Sequence, residues 1–192
     1  MASDLGSAAS EVHAKAEEVL GFWFDGLMPE QWFAKSEEID REIGDLFEAL
    51  RLAVLESKAS GWRDDPRTLL AAVILLDQFS RNIHRGTAEA FAADPLAQEL
   101  AGLAVERGWD RDMTPEQRQF LYLPFEHAES RELQSVSLRC FAALEQEEAL
   151  EYAQQHAEVI ARYGRFPSRN AALGRESTPE EEEYLSRPGA GW

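Results

Sequence analysis

The 192-residue chain carries 36 Asp and Glu against 19 Lys and Arg, a formal net charge of -17, and 44% of its residues are hydrophobic. The acidic excess argues against nucleic-acid backbones and anionic membrane surfaces as partners, because like charges repel. The apolar share is enough to bury a sizeable core in one domain, so disorder is not expected. A single cysteine, Cys140, rules out an intrachain disulfide and fits a reducing cytoplasm, where the protein is expected to reside. Set in the apolar run Leu138 to Leu144, Cys140 reads as a small packing residue rather than a nucleophile. The first ten residues lack the basic start and apolar core of a secretory signal, and the longest apolar run, Leu69 to Leu76, is too short to cross a bilayer.

Residues 1–9 are expected to be a loose end. Val12, Ala16, Val19, Leu20 and Trp23 recur at helical spacing and predict a helix over 10–24, followed by a short one near 29–34. Ile39, Ile43, Leu46, Phe47, Leu50 and Val54 predict the next, over 37–58. Asp65-Pro66 and Asp94-Pro95 each set a capping side chain before a proline at the first helical position, and so open helices over 66–82 and 95–107. Thr114-Pro115-Glu116-Gln117 has the pattern of a capping box and opens a helix over 115–122. Pro124 is expected to break that helix and restart it over 128–145. A helix over 147–163 and a last one over 179–185, opened by the capping box Thr178-Pro179-Glu180-Glu181, complete the chain, with 187–192 loose. Gly61, Gly86, Gly108 and Gly164 stand where helices should stop. No segment alternates as a strand does, so the fold is expected to be all-α. Short helices on short loops predict a stack of antiparallel helix pairs in a single domain spanning 1–192, ordered from about 10 to 186.

Two stretches run against the charge of the chain. From Gln78 to Ala88 there is no acid, while Arg81 and Arg85 fall inside; from Val159 to Gly174 there is again none, while Arg162, Arg165 and Arg169 do. Each contains Ser-Arg-Asn, at Ser80-Arg81-Asn82 and Ser168-Arg169-Asn170, and neither uses lysine. The planar guanidinium fork suits a defined carboxylate or phosphate. Asp77 closes the apolar run of the first stretch, and Arg81, four residues on, is its local partner. Asn82, next to it, is free to take a turn conformation. Between the two stretches lies Phe120 to Ser130. There the Pro124 break should place Glu126, His127 and Glu129 at a new helix start, with His127 as a candidate general base. No two histidines stand at a metal-ligand spacing, so no metal is expected, and no glycine-rich motif calls for a nucleotide cofactor.

At these residues a resemblance is plain. Trp23-Phe24 with Trp32-Phe33, Leu75 to Asn82, Phe120 to Glu129, and Gly164 to Asn170 with Leu173-Gly174-Arg175 resemble, in the same order, the DUF924 family of uncharacterised, mainly bacterial proteins. The resemblance covers about residues 17–185 and implies a tetratricopeptide-repeat-like helical fold with no established activity. His127, Glu129, Asp77, Arg81, Asn82, Arg165, Arg169, Asn170 and Arg175 match the family pattern in place. The chain departs from it at Ala128, where the family has Ser, and at Ser168, where it favours His.

Two functional expectations follow from the residues. In the first, Arg81, Arg85, Arg165, Arg169 and Arg175 clamp a small anionic molecule, Asn82 and Asn170 add neutral hydrogen bonds, and Asp77, His127 and Glu129 supply hydrolytic or acid–base chemistry. In the second, the same arginines hold an acidic peptide or a carboxylate without catalysis. A third reading makes the motifs structural, as buried networks that fix loops between helices. The oligomeric state is left open.

Overall fold

The computed structural model describes residues 2–191, and among these no strand occurs. Helix α1 (Ala2–Leu20) runs on as a π-helical stretch over Gly21–Gly26. A 3-10 turn at Pro29–Gln31 leads to α2 (Glu37–Glu56). Next, α3 (Pro66–Val73) passes through a π-helical stretch, Ile74–Phe79, into α4 (Ser80–Ile83) without a break. Then come α5 (Glu89–Ala92), α6 (Asp94–Glu106), α7 (Pro115–Glu126), α8 (Arg131–Ala142), α9 (Glu147–Tyr163) and α10 (Pro179–Leu185).

Capping chemistry places several of these starts. The Asp65 carboxylate accepts from the amides of Arg67 and Thr68, and Thr114 and Thr178 form the expected capping boxes. At the other end, α9 stops on Gly164, whose φ of 71° is a left-handed value that a side chain resists.

The apolar run Leu69–Leu76 forms the centre. Each of its residues is at most 2% exposed. Helices α1, α6 and α7 pack on α3, while α2 covers the π-helical stretch and α4. Burying each Leu, Ile or Val there contributes about 1.5–3 kcal/mol. The Trp-Phe pairs belong to this core. Trp23 meets Phe79 and Phe120 edge-on with ring centroids 5.5 and 5.3 Å apart, and Trp32 donates from Nε1 to the Trp23 carbonyl at 2.7 Å. Helices α7, α8 and α9 pack in sequence on the far side. Cys140 is partly buried against the core, and burial pushes its thiol up to about 11, as suits a packing residue.

The chain differs from expectation in several places, among them the unexpected short α5 and a start of α8 at Arg131 rather than 128. The first helix begins at Ala2 rather than at residue 10, because small helix-tolerant residues such as Ala8 and Ala9 offer nothing to stop it. Pro124 does not break α7, which continues to Glu126. A proline this close to the helix end forfeits one hydrogen bond in a turn that was ending anyway. Asn82 is helical, inside α4. The C-terminal residues turn back rather than fray: Gly191, at φ 83°, passes so close to Ser168 that a Cβ would sit 2.8 Å from the serine Cβ. Met1 and Trp192, the outermost of the expected loose residues, lie outside the described residues. No helix among the described residues is long and apolar enough to cross a membrane.

Leu75→Ala is expected to lower unfolding free energy by about 2–5 kcal/mol in urea titration, since a fully buried leucine at the centre leaves a cavity that cannot collapse.

Candidate functional site

The two Ser-Arg-Asn stretches meet at one carboxylate. Asp94, the first residue of α6, does not cap its helix; its side chain turns inward. Arg81 grips it with both Nη atoms, at 2.9 and 3.0 Å. Arg169 reaches the same carboxylate at 3.3 Å and donates from its other Nη to the His127 carbonyl at 2.9 Å. The Arg169 guanidinium lies over the rings of both Phe91 and Phe166, 4.6 Å from each ring centre. Burial and the neighbouring Arg81 charge pull Arg169 down to about 10, which still leaves it charged at neutral pH.

Asp77 lies inside the π-helical stretch, fully buried, beside this cluster. Its carboxylate forms an ion pair with Arg81, whose Nη1 lies 3.0 Å away and donates to the Asp77 backbone carbonyl, and it accepts from Gln78 Nε2 at 2.6 Å and from His127 Nδ1 at 2.9 and 3.0 Å. Burial alone would raise Asp77, but Arg81 and His127 hold it well below the usual carboxylate range. A π-helical turn in the middle of a long helix is a common signature of functional sites. His127 itself caps the end of α7. Burial, then the charge on Arg81, pull its pKa below the ordinary value despite Asp77, so at neutral pH the imidazole is uncharged. With Asp77 an acceptor, the single ring proton belongs on Nδ1, and the Nε2 lone pair is left available. Nε2 makes no hydrogen bond among the described residues.

His156, on α9, stands behind His127 with ring centroids 6.3 Å apart. Its Nδ1 donates to the Tyr152 carbonyl at 2.8 Å and lies 3.4 Å from Glu126 Oε1. Burial, then repulsion from His127, take His156 down to about 3, so it too is neutral.

The remaining sequence-derived residues are brought to the surroundings of this cluster and are engaged elsewhere. Arg85 binds Asp40 with two hydrogen bonds of 2.8 Å, and Asn82 Nδ2 donates to the same carboxylate at 2.7 Å. Arg165 binds Glu181 at 2.7 and 2.8 Å, and Asn170 Nδ2 donates to Glu181 at 3.1 Å. Arg175 holds Glu129 at 2.7 and 2.9 Å, while the Phe166 amide donates to Glu129 at 2.8 Å. Glu129 is thereby committed to anchoring the loop that carries Arg169. It sits just ahead of the Ser130 cap of α8, not in a helix start made by Pro124.

By its place before Pro95, Asp94 reads as a helix cap, and nothing in the sequence marks it as a site residue. The Asp-Pro pattern supports either role, and its arginines are 13 and 75 residues away. Asp40, Glu181 and Phe91 are equally missed, because nothing local marks an acid or a ring as the partner of a distant guanidinium. Among the described residues, no group of three or more His, Cys, Asp or Glu is placed to hold a metal ion.

Fold and site together define an all-helical protein built around a buried Asp–His–Arg cluster. A solved structure of a protein of unknown function from Agrobacterium tumefaciens has the same fold, with a TM-score of 0.86, 38% sequence identity, and coverage of 91% of this chain and 98% of that one. The family model described as "Bacterial protein of unknown function (DUF924)" matches residues 19–189, and the chain belongs to that family. No curated protein matches the chain.

Asp94→Ala would leave two guanidinium groups facing each other without their shared counter-charge. It is expected to cost about 3–5 kcal/mol in chemical denaturation. Asp40→Ala, at a pair whose arginine side chain is 40% exposed, is expected to cost about 1 kcal/mol or less.

Proposed function

We propose that the protein binds a small anionic molecule at the Asp77–His127 pair, flanked by Arg81 and Arg169, and that His127 acts there as a general base in a hydrolytic or proton-transfer step in the cytoplasm. The observation that carries this reading is the hydrogen bond from His127 Nδ1 to the buried Asp77 carboxylate. It fixes the tautomer, orients the ring and leaves Nε2 as the acceptor, as a base requires. A neutral imidazole next to two guanidinium groups favours a ligand whose negative charge faces the arginines while a proton is removed. Arg85, Arg165, Arg175, Asn82, Asn170 and Glu129 support the site by holding its loops rather than by touching the ligand, since each is engaged within the chain.

One observation favours a second reading. Every arginine of the two clusters except Arg162 already has a carboxylate of the chain as its partner. On that reading the network is structural, and capture of an acidic peptide would require one of these pairs to open.

A thermal-shift series with phosphates, sulfonates and dicarboxylates separates the two readings, because a ligand stabilises the folded state by mass action. At least one of these anions is expected to raise Tm in the native protein, and the rise is expected to be lost in Arg169→Lys, which keeps the charge but not the fork. An unchanged Tm throughout the series favours the structural reading. Nitrogen NMR of His127 is expected to show a protonated Nδ1 and a bare Nε2; in Asp77→Asn the amide no longer enforces that tautomer.

A further inference from the structure

Glu126, like the neutral His156 beside it, is an ionisable group at the centre that neither the clamp nor the base uses. It ends α7, immediately before His127, and is 4% exposed. Its Oε1 lies 3.4 Å from His156 Nδ1, but that nitrogen already donates to the Tyr152 carbonyl at 2.8 Å. Its Oε2 is buried and has no hydrogen-bond partner among the described residues. From α8, Gln134 donates to the Glu126 backbone carbonyl and brings no charge. The ionisable groups around it are Asp77 from the π-helical stretch, His156 from α9 and His127 next in the chain, with Arg81 and Arg169 beyond them on Asp94.

The charges decide its state. Asp77 and Asp94 are balanced by Arg81 and Arg169, and both histidines are neutral, so the cluster already sums to zero. An ionised Glu126 would add an uncompensated negative charge in a buried place, with one carboxylate oxygen unpartnered and Asp77 repelling it. A neutral acid loses far less on burial. We propose that Glu126 is a proton-holding acid that makes the site pH-sensitive: its ionisation turns the cluster net negative, raises the basicity of His127 and disfavours an anionic ligand. This rests on the proposed function in placing the base at His127 and an anion beside it. Burial, then the Asp77 charge, push the Glu126 carboxyl up to about 8, which sets the pH at which the change falls.

The sign of the effect on stability follows. A folded-state pKa above the unfolded value means that the native protein binds the extra proton, so this contribution is complete below the ordinary carboxylate pKa and is lost as pH rises towards about 8. His127 and His156, both lowered, act in the opposite direction, but only below the ordinary histidine value of about 6.5. Between about pH 6.5 and 8, Glu126 is therefore the group of the cluster whose proton most affects stability.

The test is a carbon and nitrogen NMR titration of the full-length protein, following the Glu126 carboxyl and the His127 ring, beside thermal unfolding over the same range. Glu126 is expected to titrate near 8, and His127 is expected to report an inflection at the same pH. In Glu126→Gln, a neutral near-isostere, that inflection disappears and the fall in Tm above about pH 6.5 flattens. A Glu126 midpoint in the ordinary carboxylate range, or a His127 ring silent through the Glu126 transition, overturns the proposal. Both signals are read in the native protein, so the result stands even if the variant does not fold. The anion series judges the proposed function separately: an unresponsive Tm there would leave this titration unchanged, and a failed titration would leave that series unchanged.

Discussion

The buried carboxylate of Asp94, taking Arg81 from one side and Arg169 from the other, is the constraint on which the rest of the structure depends. Two guanidinium groups this close repel each other, and water reaches only a small part of either to screen them. A single acid between them turns the repulsion into a joint, and that joint ties the end of the central helix to a loop 75 residues beyond Asp94. Phe91 and Phe166 both contact the Arg169 guanidinium, so it is held by ring contacts as well as by charge. Asp77 completes the balance on the other side of Arg81 and, in doing so, receives His127.

The near-repetition of Ser-Arg-Asn has a physical meaning in this arrangement. In each copy the arginine goes to Asp94, and the asparagine amide goes to an acid in the first turn of another helix, Asp40 in α2 or Glu181 in α10. In each case a second arginine, Arg85 or Arg165, grips that same acid with a fork. The same device is therefore used twice, once to dock α2 on α4 and once to fasten α10 to the loop after α9. The acid-free character of both stretches follows from this. Any local carboxylate would compete for the guanidinium groups and weaken the long-range pairs. The consequence of so much internal pairing is that the arginines suited to a ligand clamp are largely occupied, and the chemistry narrows to His127 with Asp77.

The elements were legible because their signals are local. The spacing of Ile39, Ile43 and Phe47, the caps at Asp65, Thr114 and Thr178, and the stop at Gly164 each depend on a few neighbouring residues, and each appears where the pattern places it. The total burial of Leu69–Leu76 is likewise written in an unbroken apolar run. Pro124 misled for an equally local reason. The residue is a helix breaker by chemistry, and only its position in a last turn makes it harmless.

The sequence by itself determined the helical class, the buried central helix, and the two arginine stretches with His127 and Asp77 as the residues worth following. Only the tertiary structure decided which acid each arginine meets. Asp94, Asp40, Glu181 and Glu129 carry no mark that distinguishes them from the other carboxylates of this acidic chain, and ion pairing depends on distance in space rather than along the sequence. The same holds for Glu126 and His156: each is an ordinary residue on a helix until packing removes the water around it, and it is that loss of solvent, together with the neighbouring charges, that sets which of them holds a proton.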